Sequence, residues 1–263
     1  MALRYSPPPA FWSLGKSEVH LCFVPLAASH ACLVRLESVL SPDERFRAEQ
    51  LRTAELRADF ITSRGLLRFI LGGSLGLKPT DLSLAAGANG KPHVTAPASL
   101  RFNLSHAGGC VLYALGRDRE LGVDLEPIQA LPDAESIVCR FFSPAERADF
   151  LSLGGEARET AFYRGWTRKE AYVKATGEGL SLALDAFSVS LLPGEPPALR
   201  APGDSRSWSL FDASPSAHFA AAVAAEGTPS AIHNWAFGDA DHCAAYFGRD
   251  NLPRFDCRPL FSD

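Results

Sequence analysis

The sequence predicts an α+β protein made of two pseudo-twofold-related α+β halves, with one active site in the cleft between them. Three observations carry this. Sliding the chain against itself by about 104 residues brings several segments into step. Among them are paired capping boxes, each with proline at the first helical position. Short alternating runs bounded by turn residues recur between the helical ones. At 263 residues and 46% hydrophobic content, the chain is long enough to bury the cores this needs. The expected boundaries are 1–117 for the first half, 118–226 for the second, which carries the metal site, and 227–263 for a C-terminal extension packed on the surface.

Val19–Val24 is an apolar strand-like run, and Val19-His20-Leu21-Cys22 falls on Val123-Asp124-Leu125-Glu126 in the repeat. Ser41-Pro42-Asp43-Glu44 and Ser143-Pro144-Ala145-Glu146 both read as helix starts, because the serine oxygen can take the N3 amide while the glutamate reaches back. Arg47 follows, then Arg57, Arg64 and Arg68 at helical spacing, interleaved with Glu49, Glu55 and Asp59. A salt-bridged, solvated face accounts for most of these arginines, and one or two are suited to phosphate. Asp81 and Asp185 each enter short alternating strands; Asn89-Gly90-Lys91-Pro92 is a turn signature, and its Gly90-Lys91-Pro92 falls on Gly194-Glu195-Pro196.

Arg101–Leu104 alternates like a strand and runs into Ser105-His106-Ala107-Gly108-Gly109. Val111–Gly116 and Leu121–Glu126 read as a hairpin turning at Arg117–Glu120. Within the second run Val123 and Leu125 share one side and Asp124 and Glu126 the other, until Pro127 stops the strand. Between Glu156 and Ala175 apolar residues recur at Phe162, Trp166 and Val173, and the run ends near Gly177, so a helix is expected. Ser63-Arg64 falls on Thr167-Arg168, which places Leu66 and Ile70 opposite Glu170 and Lys174. Only the second half then carries the acidic set, so one site rather than two is expected, in the cleft.

Glu170 and Lys174 stand four residues apart on one helix face. Alone they are an ordinary solvated pair, and an Asp-x-Glu strand is ordinarily the wet face of a hairpin. Together Asp124, Glu126 and Glu170 suit a hard divalent cation, which takes oxygen ligands and needs few carboxylates when a substrate phosphate completes the site. Ser105 and His106, at a strand end beside glycines, can meet a phosphate oxygen or simply form a hairpin corner.

The net charge of −4, with no long basic run, leaves no nucleic-acid footprint. Neither a signal peptide nor a membrane span is visible, so a cytoplasmic location is the default expectation. Cysteines 22, 32, 110, 139, 243 and 257 form no Cys-x-x-Cys pair, which favours buried free thiols over disulfides or zinc. The seven histidines show no ligand spacing, so a structural metal is not expected. A phosphate loop of the Gly-x-x-x-x-Gly-Lys-Ser/Thr type is absent.

In order along the chain, Gly90-Lys91-Pro92, Phe102-Asn103-Leu104-Ser105-His106, Gly122-Val123-Asp124-Leu125-Glu126, Phe141-Phe142-Ser143-Pro144-Ala145-Glu146 and Trp166 to Lys174 resemble the signature series of 4′-phosphopantetheinyl transferases, in the large surfactin-synthetase-activating (Sfp-type) branch. The resemblance spans most of residues 15–225. It implies a monomer that moves 4′-phosphopantetheine from coenzyme A to a serine of an acyl, peptidyl or aryl carrier protein, releasing adenosine 3′,5′-bisphosphate. It also implies Mg²⁺, with Mn²⁺ as a substitute, on Asp124, Glu126 and Glu170; Glu170 as base; and Lys174 and His106 on the pyrophosphate. Gly90, Lys91, Pro92 and Ser105 would line the adenosine, and Arg47 and Arg64 would meet the 3′-phosphate. The chain departs from the pattern at Glu44 and Ala86, where some relatives are basic. The rival readings are a metal-dependent pyrophosphate hydrolase and a non-catalytic carrier-binding protein.

Overall fold

The computed structural model describes residues 4–9, 13–87, 89–96 and 99–248, so Cys257 and the end of the extension lie outside the described residues. The chain runs through β1 (Glu18–Pro25), α1 (His30–Ser38), α2 (Pro42–Glu49), α3 (Ala54–Leu75), β2 (Leu84–Ala86), β3 (Pro92–Val94), β4 (Leu100–Ala107) and β5 (Cys110–Arg117). The same order returns in β6 (Leu121–Pro127), α4 (Ala134–Phe141), α5 (Pro144–Leu151), α6 (Gly155–Thr176), β7 (Ser188–Val189), β8 (Leu199–Arg200), β9 (Trp208–Asp212) and β10 (Phe219–Glu226). β11 (Ala231–Ala236) and α7 (Ala240–Phe247) close the described chain.

The sheets repeat the pattern: β1-β5-β4 in the first half corresponds to β6-β10-β9 in the second. Both capping boxes form, Ser41 with Glu44 and Ser143 with Glu146. The long helices α3 and α6 have the same length, 22 residues, and each ends on a glycine in the left-handed region, Gly76 at φ 66° and Gly177 at φ 74°. A side chain at either position would be strained, and the glycine lets the last turn close on itself.

Alternation on the strands sorts the core into layers. Val19, Leu21, Leu112 and Ala114 of the first sheet pack against Val123, Leu125, Ala221 and Val223 of the second. On the outer face of the first sheet, Cys22, Val111 and Tyr113 meet Leu36, Leu66 and Ile70 of the helices. Ala222 and Ala224 on the outer face of the second meet Tyr172 and Ala175 of α6. Each fully buried Leu, Ile or Val contributes about 1.5–3 kcal/mol, so helix–sheet–sheet–helix layering is where the stability resides.

Several expectations are corrected. β5 and β6 are not a hairpin: β5 pairs with β1 and β4, β6 pairs with β10, and the turn at 118–120 carries the chain from one sheet to the other. The tight hairpin is instead β4–β5, closing at Gly108-Gly109, both with positive φ. The described part of the extension is no surface tail, because β11 adds to the first sheet parallel to β1 and α7 buries Cys243, Ala244 and Phe247 in the first core. Gly76 against Gly177 puts Phe69 and Gly73, not Leu66 and Ile70, opposite Glu170 and Lys174, since the strand-to-helix connections differ in length. The other half still lacks the carboxylate and the lysine. Cys22, Cys32 and Cys243 are buried and free, whereas Cys139 is exposed.

Pairing of β1 with β11 also brings together residues remote in sequence. The ligand-type atoms of Glu18, His20 and His233 lie within 4.8 Å of one another, a proximity that histidine spacing along the sequence does not reveal. They form a closed hydrogen-bond set: Glu18 accepts from the Gly15 amide at 2.9 Å and meets His20 at 3.2 Å, and the Trp235 indole donates to His20 Nδ1 at 3.3 Å.

Candidate active site

β6 enters the core directly beneath the last turns of α6, and Gly122 makes that approach feasible. A Cβ at Gly122 would stand 2.2 Å from the Ala171 carbonyl oxygen and 2.3 Å from the Ala175 amide nitrogen, far inside contact distance. Without a side chain there, the strand settles against the helix and carries Asp124 under Lys174. Lys174 Nζ donates to Asp124 Oδ1 at 2.6 Å and to Ser105 Oγ at 3.0 Å, while Ser105 Oγ donates to Asp124 Oδ1 at 2.9 Å.

Ser105 arrives from the first half. β4 lies beside β6 without a ladder, and the Asn103 side-chain oxygen accepts the Val123 amide at 2.9 Å in place of a strand partner. The seam between the halves is therefore built of side chains, and Asn103, Ser105, Asp124 and Lys174 are stitched across it.

Charge is concentrated here. Asp124 is 3% exposed; its Oδ1 takes both contacts above, and its Oδ2 is buried with no partner among the described residues. Burial, then the neighbouring Asp124 charge, pushes the Glu126 carboxyl up to about 7, with Lys174 pulling the other way and Glu170 adding to the rise. Glu170 is raised by burial and by Asp124, and lowered by Lys174. Three carboxyls thus act electrostatically on one another beside one ammonium, and one buried Asp124 oxygen is left without a partner among the described residues. That donor set fits a divalent cation with oxygen preference.

A cavity of about 590 Å³ opens beside this cluster, lined from the first half by Gly90, Lys91, Pro92 and Asn103 and from the second by Glu170 and Lys174. Gly90, at φ 80°, has open space where a Cβ would stand, so a ligand can approach its backbone. Lys91 lines the cavity, and its ammonium is also committed to the cleft wall. Its ammonium is spent on Glu120 Oε2 (2.9 Å), the Leu121 carbonyl (3.1 Å) and the Ala175 carbonyl (2.9 Å), and Asn89 donates to the Gly177 carbonyl at 2.8 Å. The strip is clamped across the cleft onto the end of α6.

Other sequence-derived residues fall outside this group. His106 is exposed at the end of β4, and strand alternation turns it away from Ser105. Arg47 and Arg64 share the Phe60 ring, 5.7 and 5.8 Å from its centroid, and neither lines the cavity. Arg57 pairs with Glu37 on an exposed face, but Arg68 is buried against Glu44, so the expected solvated face does not extend to it. Sequence reasoning missed Asn103, Asn89 and Glu120. An asparagine at an inward position of an alternating strand is the signal that could have found Asn103; for Glu120, whose partners are far away in sequence, there was none.

Residues 120–224 match the family model described as the 4′-phosphopantetheinyl transferase superfamily. The chain is 39% identical over 224 residues to the 4′-phosphopantetheinyl transferase HetI of Nostoc sp., covering 84% of this chain and 93% of that protein. A putative 4′-phosphopantetheinyl transferase of Synechocystis sp. is 35% identical over 180 residues, 66% of this chain and 72% of the relative. The 4′-phosphopantetheinyl transferase Sfp of Bacillus subtilis is 31% identical over 157 residues, 60% and 69%.

Proposed function

Since the chain belongs to the 4′-phosphopantetheinyl transferase superfamily, it transfers 4′-phosphopantetheine from coenzyme A to a serine of an apo carrier protein, and we propose that Asp124, Glu126 and Glu170 hold Mg²⁺ for that reaction. The observation that carries the assignment is the buried, unpartnered Oδ2 of Asp124 beside two carboxyls that burial, reinforced by Asp124, holds in the protonated direction. When bound, the cation neutralises charge on the pyrophosphate, leaving positioning and charge stabilisation as the protein's main tasks.

The carrier serine oxygen forms the new bond to the β-phosphorus, and the bond to adenosine 3′,5′-bisphosphate breaks. Glu170, on the cavity wall with its carboxyl raised, is the proposed acceptor of the serine proton, directly or through water. Lys174 supplies positive charge where the departing phosphate becomes more anionic, and Asp124 and Ser105 hold its ammonium in place. The Gly90-Lys91-Pro92 strip is proposed to seat the adenosine, with Lys91 acting through its clamp on α6 rather than by touching the ligand. His106 is assigned to the pyrophosphate, and Arg47 and Arg64 to the 3′-phosphate, on the family pattern and their shared basic position over Phe60. Because both walls of the cleft come from one chain, a monomer suffices.

Incubation of the chain with coenzyme A, Mg²⁺ and apo acyl, peptidyl or aryl carrier proteins tests this reading. Intact-mass spectrometry should show a phosphopantetheine adduct on at least one carrier type, lost on chelation of the metal. Unmodified carriers of every type would overturn it, and bisphosphate release without a carrier would identify a hydrolase instead.

A further inference from the structure

The face of α6 turned away from Glu170 carries a second cluster with no part in the reaction above. Thr160, Arg164 and Arg168 stand at successive turns of the helix, sharing one face. They line a separate cavity of about 320 Å³ together with Asp212, Ser214 and Ser216.

Arg168 is the unusual member. It is 2% exposed, yet among the described residues no carboxylate pairs with it. The comparably buried cations each have one: Arg68 meets Glu44 at 2.6 Å and Lys169 meets Glu146 at 2.8 Å. A buried charge without a directly paired carboxylate is costly, and burial, followed by the neighbouring Arg164, holds the Arg168 guanidinium down near 10, with Asp212 and Glu195 pulling the other way. Arg168 uses Nη1 alone, on the Ser190 carbonyl at 2.6 Å and the Ser190 hydroxyl at 3.0 Å. Arg164 likewise uses Nη1, on the carbonyls of Leu191 and Leu192 at 3.3 and 3.1 Å.

Hydroxyl donors surround the same space. Ser214 Oγ accepts the Ala221 amide at 3.1 Å and Ser216 Oγ accepts the His218 amide at 3.3 Å, so each keeps its own O–H to give. Asp212 directs Oδ1 to the Ser214 amide at 3.0 Å. Two guanidiniums against one carboxylate leave the lining with a net positive charge.

We propose that this cavity binds a small tetrahedral oxyanion of the phosphate class, at a site distinct from the coenzyme A cleft. The guanidinium fork matches such an anion, and the volume favours the free ion over a nucleotide.

The test is calorimetric titration of inorganic phosphate into the chain already saturated with coenzyme A, so that the main cleft is filled. One saturable site is expected below about 10 mM. Affinity should fall about tenfold or more in Arg164→Gln and Arg168→Gln, and about fivefold in Thr160→Val, where one neutral hydrogen bond is lost. Lys174→Ala, which alters the other cleft, should leave it unchanged. Should Arg168→Gln fail to fold by circular dichroism, Arg164→Gln and Thr160→Val decide the matter. The proposal is overturned by the absence of saturable binding, by equal affinity in wild type and both of those variants, or by loss of binding in Lys174→Ala. None of these outcomes bears on the transferase reading.

Discussion

Lys169 and Glu170 are neighbours with opposite assignments, and the difference lies in where α6 points them. Lys169 is fully buried and gives its ammonium to Glu146, the Leu184 carbonyl at 2.8 Å and the Phe187 carbonyl at 2.9 Å. Glu170 faces the cavity. Lys169→Ala should therefore destabilise the fold by about 3–5 kcal/mol, because Glu146 would be left charged and unpaired; a urea titration followed by circular dichroism measures this. Glu126 makes a pH prediction. Its folded-state carboxyl is raised from 4.5 to about 7, so the metal-free fold holds an extra proton in that window and loses Glu126's stabilising contribution as pH rises through it. His20, lowered by burial from 6.5 to about 4, works in the opposite sense, its contribution being lost as pH falls. Absolute melting temperature mixes the two, but the Mg²⁺-induced shift isolates the acidic cluster. That shift should grow between about pH 5 and pH 7.5 as the carboxyls ionise, and differential scanning fluorimetry with and without Mg²⁺ reads it. A shift independent of pH would count against the metal assignment.

At the scale of elements, Gly122 joins strand to helix. Gly122→Ala would force β6 and α6 apart, since backbone atoms occupy the space a Cβ needs. The expected outcome is a loss of about 2 kcal/mol or more, together with weaker coenzyme A binding, because Asp124 and Lys174 separate; thermal melts and calorimetry check both. Lys91 acts at the same scale. Lys91→Met should raise KM for coenzyme A several-fold with a smaller change in kcat, since the strip lining the cleft loses its clamp while the acidic cluster stays intact. What could be read in advance at this scale was local: capping boxes at Ser41 and Ser143, the strand at Leu121–Glu126, and the placement of Glu170 and Lys174 on one long helix all follow from spacing within a few residues. What could not was contact between distant segments. Lys91 with Ala175, Asn103 with Val123 and β11 beside β1 depend on tertiary placement, and no local pattern encodes that. Lys91 matched a ligand-lining motif by type, but its ammonium turned to carbonyls that only the folded chain brings near.

For the molecule as a whole, two halves share one element order and strand order, and the proposed chemistry draws its carboxylates from one of them. At the counterpart of Asp124 the first half has His20, buried in a hydrogen-bond set with Glu18 and Trp235; opposite Glu170 and Lys174 it has Phe69 and Gly73. The repeat was legible from the sequence, although its register along the long helices was not, because the connections before them differ in length. Among the described residues no helix is long and apolar enough to cross a membrane, and the cleft draws on both halves of a single chain. The most direct test of the account is the intact mass of an apo carrier protein incubated with coenzyme A, Mg²⁺ and either wild type, Asp124→Ala or Glu170→Ala, with the fold of each variant checked by circular dichroism. Wild type should convert the carrier to its phosphopantetheinyl form, while both folded variants slow conversion by about a hundredfold or more. Conversion by folded Glu170→Ala at the wild-type rate would contradict the central claim.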